Sequence, residues 1–410
     1  MTGHADVDRS SEERRLIRMV RAGLKCFLWL LPARTAPKPL RRPDQLKVLL
    51  TGTFHSANWA VAHLHPIAQS LGGGRLIIVT IYPLLERSGL VVIQPPQWLR
   101  SLAGDVGARL LIFAWTAVRE RPDIVGGFHL LFNGMVAALV GRFVNAATLY
   151  FCVGGEAEVM GGGIRSENRL LGRLTAPEET LERLLVDVVK RFDIIVTMGT
   201  GAADFFRARG IQGYLYRNGG GIDTTRFQPG QPADKDIDVL FVGRLAPIKR
   251  VDRLLDAVFS ARASRLMKVV VVGAGECLTE LARRTRELGI DDSVTFVGQQ
   301  ADVGSFLRRS RLFVLTSESE GVSLSMLEAM ISGVVPVVSD VGDLGDVVQD
   351  GDSGFLVADL DPVSFAQRFL TLLNDQQRLL AMSDRAQQRA REFSLEASAA
   401  SWKALFRTLA

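Results

Sequence analysis

The chain has 410 residues, 47% hydrophobic and 23% charged, a composition typical of a well-packed globular protein long enough for two domains. Its cysteines, Cys26, Cys152 and Cys277, are odd in number and far apart, which excludes a disulfide framework and indicates a reducing compartment. Residues 1–50 hold eleven Lys or Arg against five Asp or Glu, whereas the rest of the chain holds 38 against 39. The positive charge is therefore local, and we expect no nucleic-acid partner.

The basic leader, residues 1–45, contains a predicted amphipathic helix over residues 11–31, followed by a proline-rich tether. Its longest apolar run is too short to span a bilayer, and no pattern of a cleaved secretory signal is present. Two interpretations remain open: the helix lies on an anionic membrane surface, or it packs on the first domain. The first predicts a cytoplasmic protein, peripheral on the inner face of the cell membrane. The apolar face holds Leu16, Ile17, Val20, Leu24, Phe27, Leu28 and Leu31, opposite Arg14, Arg15, Arg18, Arg21 and Lys25.

The first domain is predicted to cover residues 46–217. Buried strand patterns alternate with helix-length stretches, which is typical of a doubly wound parallel sheet. The predicted strands start at Lys47 and continue with Leu76–Ile81, Leu110–Phe113, Ile124–Val125, Thr148–Val153 and Asp193–Thr197.

A glycine-rich hinge is predicted over residues 218–236, followed by a second domain of the same class over residues 237–390. Within it, residues 311–338 have the pattern of a strand, a polar loop, a helix from about Ser323 and a second strand. Gly321 lets the N–H groups of Val322, Ser323 and Leu324 converge on an anion at the start of that helix.

Two carboxylates flank this anion seat: Glu320 just before it and Glu328 on the helix. Acceptor-only side chains on both sides of a bound anion suit a phosphate between hydroxyl groups, as in a nucleotide sugar. The alternative is structural, because Ser325 and Glu328 also have the spacing of a helix capping box.

Two cations occupy an earlier turn that follows the predicted strand Asp238–Val242. Arg244 can hold a diphosphate through paired N–H bonds and Lys249 can neutralise it as a point charge. The alternative for a basic turn is a solvated surface. The Asp236 and Asp238 pair is explained by the start of the strand, so no divalent metal and no cofactor are expected.

The segments VGRLAPIK and SESEGVSLSMLEAM together resemble the donor-binding half of family 4 glycosyltransferases, which are retaining enzymes of the GT-B fold. The resemblance extends from Lys47 onward. It implies two Rossmann-like domains that face a cleft, with residues 391–410 crossing back to the first domain. It also implies that Arg244 and Lys249 hold the donor diphosphate, Glu320 the transferred sugar and Glu328 the ribose, with backbone contacts from Gly321, Val322, Ser323 and Leu324.

The first domain departs from the family pattern. Val153 stands where many members have a histidine, and the glycine turn at Gly52 is thinner than usual. On the acceptor side we therefore expect Gly52 with His129 or Glu156 in place of that histidine. The alternative for His129 is a packed or solvated side chain.

These observations predict a retaining glycosyltransferase that moves a sugar from a nucleotide diphosphate sugar to a lipid-linked or polysaccharide acceptor at the membrane surface. Two alternatives are kept: a nucleotide-sugar epimerase or hydrolase on the same fold, and a non-catalytic nucleotide-sugar-binding protein.

Overall fold

The computed structural model describes residues 10–31, 40–54, 57–84, 88–164, 166, 168, 170–211, 213–231 and 234–410. Residues 1–9 and 32–39, which include most of the predicted tether, lie outside the described residues. The chain forms two compact units. Residues up to Gly220 together with Ser398–Ala410 form the first unit, and Gly221–Ala397 form the second. This division falls inside the predicted hinge.

The first unit is built on a seven-stranded parallel sheet, in the order β3-β2-β1-β4-β5-β6-β7. The predicted strand at residues 110–113 is wrong, because this apolar run is part of a long helix. Two short edge strands, β3 and β7, were not predicted. The strands are β1 (Lys47–Thr51), β2 (Arg75–Val79), β3 (Leu90–Ile93), β4 (Ile124–Phe128), β5 (Ala147–Cys152), β6 (Ile194–Thr197) and β7 (Tyr214–Arg217).

Helices cover both faces of this sheet. Paired strand residues such as Leu49, Val125 and Tyr150 face one side, where they pack in two clusters with α1, α3, α4, α5 and α6. Phe128 and Phe151 face the other side, towards α2 and the last helix. The helices are α1 (Ser11–Leu30), α2 (Ala57–Leu71), α3 (Gln97–Glu120), α4 (Met135–Phe143), α5 (Glu179–Val189) and α6 (Thr200–Ala208).

The leader helix α1 packs on the first unit. Its apolar side chains Ile17, Leu24 and Phe27 are buried in the same cluster as Leu181 and Leu185 of α5. The interpretation that placed this apolar face on a membrane is therefore wrong, because the face is already covered by protein.

Polar contacts fix α1 in the same position. Buried Glu13 accepts hydrogen bonds from the Thr175 N–H at 3.0 Å and the Thr175 hydroxyl at 2.8 Å. Arg21 pairs with Glu178. One cation of the predicted basic face therefore has an acidic partner within the first unit. Only the outer side of α1 stays open to solvent.

One helix among the described residues, α3, is long and apolar enough to cross a membrane. It kinks at Gly104, which has a φ of 70°. Its second half packs on the sheet through Phe113 and Ala117, both fully buried against β1 and β2. This half of α3 is therefore part of the core of the first unit.

The second unit is built on a six-stranded parallel sheet in the order β10-β9-β8-β11-β12-β13. Its central strands are buried on both faces and rich in β-branched residues, as covered parallel sheets require. The strands are β8 (Ile237–Val242), β9 (Val269–Val272), β10 (Val294–Gly298), β11 (Ser310–Leu315), β12 (Val335–Ser339) and β13 (Phe355–Val357). The helices are α7 (Val251–Arg262), α8 (Leu278–Glu287), α9 (Gly304–Arg308), α10 (Leu324–Ile331), α11 (Pro362–Leu373) and α12 (Gln376–Arg391).

The last helix, α13 (Leu395–Leu409), belongs to the first unit from Ser398 onward. There the Asn218 amide donates to the Ser398 carbonyl at 3.2 Å, and Trp402 is buried beside Phe151. The return of the chain end to the first unit matches the crossing that the family resemblance implies.

Candidate functional site

The order of strands places the predicted donor residues at one point of the second unit. β8 and β11 are neighbours, and the strand order reverses between them because β9 lies on one side and β12 on the other. In open α/β sheets, ligands bind at such a reversal, outside the carboxyl ends of the strands. The loop that carries Arg244 and Lys249 follows β8, and the loop that carries Glu320 follows β11.

The structure joins these two loops through a charged pair. The Lys249 ammonium donates to both carboxylate oxygens of Glu320, each at 2.8 Å, and the Ser317 hydroxyl donates to one of the same oxygens at 2.6 Å. The Glu320 side chain is 8% exposed and that of Lys249 19%. Two residues 71 positions apart in sequence are thus held in contact at the edge where a ligand would bind.

Backbone contacts keep both loops in place. The Glu318 N–H donates to the Ile248 carbonyl at 2.9 Å, and the buried Thr316 hydroxyl donates to the Arg250 carbonyl at 2.7 Å. A Cβ on Gly342, which has a φ of 56°, would lie 1.7 Å from the Glu320 carbonyl oxygen. Only glycine fits there, so the backbone at Glu320 is fixed from both sides.

The predicted anion seat coincides with the start of α10. Ser323 caps this helix, with its hydroxyl accepting from the Met326 N–H at 3.4 Å. The alternative capping box of Ser325 and Glu328 is therefore wrong, because the cap lies two residues earlier and Glu328 is inside the helix. Glu328 is 6% exposed. Gly321 and Val322 precede the cap, so their backbone stands at the positive end of the helix.

Arg244 lies exposed in the turn after β8. The turn is held against the loop after β9 by hydrogen bonds from the Leu245 N–H to the Ala274 carbonyl at 2.9 Å and from the Cys277 N–H to the Leu245 carbonyl at 3.0 Å. A Cβ on Gly275 would lie 2.3 Å from the Leu245 oxygen. The GAG sequence after β9 therefore serves close packing against the turn that presents Arg244.

The two aspartates spaced as D-x-D lie at the start of β8, at the opposite edge of the sheet. Asp236 pairs with Lys268 and Arg309, and its hydrogen bond from Arg309 is the main cause that lowers its pKa. Asp238 accepts from the Lys268 N–H at 2.9 Å and lies near Arg265 and Arg311. These carboxylates serve ion pairs away from the Lys249–Glu320 pair.

The first unit has a strand reversal of the same kind, between β1 and β4. Gly52 follows β1 and His129 follows β4. A Cβ on Gly52 would lie 2.9 Å from the Phe128 Cβ, so the two strand ends approach too closely for a larger residue. His129 has a φ of 65°, which is strained for a residue other than glycine. The structure thus places Gly52 and His129 at the same end of the sheet, at the carboxyl ends of neighbouring strands.

His129 is oriented by Glu158, a residue that the sequence analysis did not select. The His129 Nδ1 lies 3.0 Å from one Glu158 oxygen, which also accepts from the Gly154 N–H at 2.7 Å. The other oxygen accepts from the Leu130 N–H at 2.8 Å and the Tyr150 hydroxyl at 2.9 Å. Glu158 is 8% exposed, whereas the His129 ring is 41% exposed. A buried carboxylate therefore holds a histidine that faces solvent.

The environment of Glu158 acts on its pKa in two directions. Burial raises the pKa of this carboxyl, but the charge and hydrogen bond of His129, with the N–H groups of Gly154 and Leu130, lower it below its ordinary value. Burial also raises the pKa of Tyr150 well above its usual range. Glu158 is therefore ionised and Tyr150 protonated near neutral pH. The predicted Glu156 is half-exposed, and the contact to His129 is made by Glu158 instead.

A second network of polar side chains lies in the core, next to the carboxyl ends of β1 and β4. Buried Arg109 donates to the Thr51 hydroxyl at 2.7 Å and to the Asn133 amide oxygen at 2.8 Å, and burial lowers its pKa to about 10. The Asn133 amide donates to the Phe128 carbonyl at 2.7 Å. The signal in the sequence is a lone cation inside the apolar run of α3. Arg109 fixes the ends of β1 and β4 from within the core.

Comparison with known proteins agrees with this geometry. Residues 222–392 match the family described as glycosyl transferases group 1. D-inositol 3-phosphate glycosyltransferase 2 of Catenulispora acidiphila is 33% identical over 264 residues, which are 58% of this chain and 61% of that protein. N-acetyl-alpha-D-glucosaminyl L-malate synthase of Bacillus anthracis is 31% identical over 150 residues, 37% of this chain and 39% of that protein. The chain thus spans 61% or less of the curated relatives that it matches.

Solved structures share the fold over nearly the whole chain. Anabaena HepE, in complex with UDP-glucose, superposes with a TM-score of 0.68 at 18% identity and covers 89% of this chain and 100% of its own. Sucrose-phosphate synthase of Thermosynechococcus elongatus superposes with a TM-score of 0.68 at 18% identity, and the match covers 88% of this chain and 99% of that protein. The predicted fold class, two Rossmann-like parallel-sheet units of the GT-B type, is confirmed. The predicted resemblance to family 4 glycosyltransferases is confirmed for residues 222–392, the part of the chain that matches the glycosyl transferases group 1 family.

Proposed function

We propose that this protein is a retaining glycosyltransferase whose second unit binds a nucleoside diphosphate sugar between the loops after β8 and β11. The observation that carries this proposal is the contact of Lys249 with Glu320 at the reversal of the strand order. The Lys249 cation can bind a phosphate, and the Glu320 carboxylate beside it can accept a hydrogen bond from a sugar hydroxyl. Both groups lie beside the start of a helix.

Each donor-side residue has a role in the proposed reaction. Arg244, Lys249 and the N–H groups of Gly321 to Leu324 stabilise the negative charge that develops on the departing diphosphate. Glu320 accepts hydroxyl groups of the transferred sugar, and Glu328 those of the ribose. The bond between the anomeric carbon and the diphosphate oxygen breaks, and the acceptor oxygen bonds to the same face of that carbon. The acceptor proton passes to the departing phosphate oxygen. Because Arg244 and Lys249 supply the positive charge for the diphosphate, we propose that no metal ion is required.

The first unit supplies the acceptor side, with His129 at the end of β4. Its ring is exposed, and Glu158 fixes its orientation, so it can accept or donate one hydrogen bond to an acceptor hydroxyl. We propose a lipid-linked or glycan acceptor and a cytoplasmic protein that is peripheral on the inner face of the cell membrane. The support is the solvent-facing side of α1, which presents Arg15, Arg18 and Lys25.

A nucleotide panel tests the donor proposal. UDP-glucose is the first donor to try, because the similar HepE structure contains it. Purified protein is heated with UDP, GDP or ADP and their common sugars, with and without EDTA, and one nucleotide is expected to raise the melting temperature in both conditions. Arg244→Ala should remove this shift while the unliganded melting temperature stays unchanged. A protein that no nucleotide stabilises would contradict the proposal.

Assays with the donor that this panel selects distinguish sugar transfer from donor hydrolysis. Release of UDP that depends on added membrane extract and yields a new glycolipid or glycan, with the anomeric configuration of the donor, supports transfer. Complete donor turnover without any acceptor would support a hydrolase or an epimerase. Binding without turnover under all conditions would support a non-catalytic sugar-nucleotide-binding protein.

A further inference from the structure

The exposed surface of α3 carries six large apolar side chains, two before the kink and four after it. We call it the outer α3 face, and its members are spaced four, five or three residues apart on both sides of the kink at Gly104. All of them are between 51% and 78% exposed, whereas Phe113 and Ala117 on the inner side are fully buried. The outer α3 face consists of Trp98, Leu102, Val106, Leu111, Trp115 and Val118.

Other exposed apolar side chains lie on the same side of the first unit. Phe143 at the end of α4 and Trp29 at the end of α1 are each 81% exposed. Residues of α4 take part in both hydrophobic clusters on this sheet face, the one that contains α1 and the one that contains α3. Folded monomers rarely keep so much apolar surface in water unless it serves docking.

The charge beside this surface is positive. The exposed charged residues of α1 are Arg14, Arg15, Arg18 and Lys25 against the single acid Glu12. The other two charged side chains of this helix point towards the first unit. Glu13 accepts a hydrogen bond from Thr175, and Arg21 pairs with Glu178. On α3, the Arg119 guanidinium lies 5.2 Å from the centre of the Trp115 ring. Apolar and cationic groups thus share one side of the unit.

We infer that the outer α3 face enters the interfacial layer of an anionic bilayer while the cations of α1 contact the lipid headgroups. Tryptophan is the residue that membrane interfaces favour, and Trp98 and Trp115 lie near the two ends of this helix. Helices of this kind lie in the plane of the membrane. The buried inner side of α3 keeps the helix on its own sheet, so it rests on the bilayer and does not cross it.

The charge selects the bilayer over a second copy of the chain. Self-association through this face would bring two positive α1 surfaces near each other, which costs free energy, whereas anionic lipid attracts them. The inference deepens the proposed function, since it assigns residues to the proposed membrane surface. It rests on that proposal only for its biological purpose, because vesicle binding is measured without donor or transfer.

Flotation with vesicles tests the inference. The full chain is mixed with vesicles of phosphatidylcholine alone or with phosphatidylglycerol added, and we expect binding to the anionic vesicles. The variant Trp98→Gln, Leu102→Gln, Trp115→Gln should bind at least about tenfold more weakly, because three apolar side chains no longer leave water. The matched control, Phe259→Gln with Leu266→Gln, removes exposed apolar groups of the second unit and should bind like the parent protein.

A second readout locates the helix in the lipid. Brominated acyl chains should quench the tryptophan fluorescence of the parent protein more than that of the Trp98→Gln, Trp115→Gln variant. Equal vesicle binding by the triple variant, or a parent protein that ignores anionic vesicles, would overturn the inference. A lipid-free dimer that the triple variant dissociates would also overturn it, since the face would then join two copies. If nucleotide still raises the melting temperature, these failures overturn the membrane surface but leave the proposed donor binding and sugar transfer standing.

Discussion

The two units have the same strand reversal, but they build it from different chemistry. In the second unit, two loops meet through Lys249, whose side chain is half-buried, and Glu320, whose carboxylate is paired with it. In the first unit, strained His129 stands on a buried carboxylate, Glu158, which accepts from four groups. The second unit keeps its charged groups where a ligand can replace their contacts. In the first unit, the buried carboxylate holds one side chain, His129, in position.

The difference predicts different consequences when each network is broken. Removing a partner of the Lys249–Glu320 pair should impair binding and transfer more than folding. Removing Glu158 should impair folding first, because four donors would lose a buried acceptor.

Lys249→Met and Glu320→Gln should each lower kcat/KM for sugar transfer by about 10²–10³-fold, the size typical for loss of one stabilising group at a developing charge. The melting temperature should fall only modestly, since Ser317 still contacts residue 320. Both quantities are measured on purified protein with the donor that the nucleotide panel selects.

The matched control is Glu318→Gln, in the same loop. Glu318 is exposed and pairs with Arg250 on the surface, so its loss should leave transfer within about twofold of the parent protein, as for a surface ion pair. Equal losses for Glu318→Gln and Glu320→Gln would remove the distinction between site and surface in this loop.

Glu158→Gln should destabilise the first unit by about 2–4 kcal/mol, because an amide cannot accept from all four donors and its NH2 group opposes one of them. Thermal unfolding followed by circular dichroism measures the effect. Glu156→Gln, two residues earlier and half-exposed, is the matched control and should change stability by less than about 0.5 kcal/mol.

His129→Gly completes this comparison. Glycine relieves the positive φ but removes the hydrogen bond to Glu158, so the two effects oppose each other and stability should change by less than about 1 kcal/mol, whereas transfer should fall if the ring contacts the acceptor. A variant that transfers sugar as fast as the parent protein would show that the His129 ring does not contact the acceptor.

The part of the site that the sequence predicts well is local in the chain. Residues 311–338 form a strand, loop, helix and strand in sequence, and their patterns are unambiguous because each element is buried and of typical length. The direct contact of Glu320 with Lys249 was not predicted, because it depends on β8 and β11 being neighbours in the sheet. Predicting the GT-B fold therefore needed only periodicity and two motifs.

The network of the first unit was missed because its members come from separate segments. Glu158 was passed over for Glu156, since the 3-10 turn Gly155–Glu158 decides which carboxylate points inward and sequence spacing does not. The usable signal was an acid between the apolar residues Ala157 and Val159. The strand predicted at residues 110–113 was wrong for a related reason, because a short apolar run fits a strand and a buried helix turn equally well.

His63 gives a smaller test, on the side of the first sheet away from α3. It is 1% exposed, neither ring nitrogen has a hydrogen-bond partner among the described residues, and burial lowers its pKa to about 3. The unfolded chain binds a proton near pH 6.5 and the folded chain does not. Stability is therefore lost as the pH falls below about 6.5, by about 1.4 kcal/mol per pH unit until about pH 3.

At pH 5 this loss is about 2 kcal/mol, which corresponds to about 4–8 °C in the melting temperature of the first unit. His63→Leu should remove this part of the pH dependence, because an apolar side chain suits the surrounding rings of Trp59, Phe128 and Phe151. Melting curves of both proteins at pH 7 and pH 5 make the comparison. Phe128 and Phe151 lie just before the loops that carry His129 and Glu158, so acid should destabilise the strand ends at this site of the first unit. The second unit has no such buried histidine among its described residues. An identical shift in both proteins would place the acid sensitivity elsewhere.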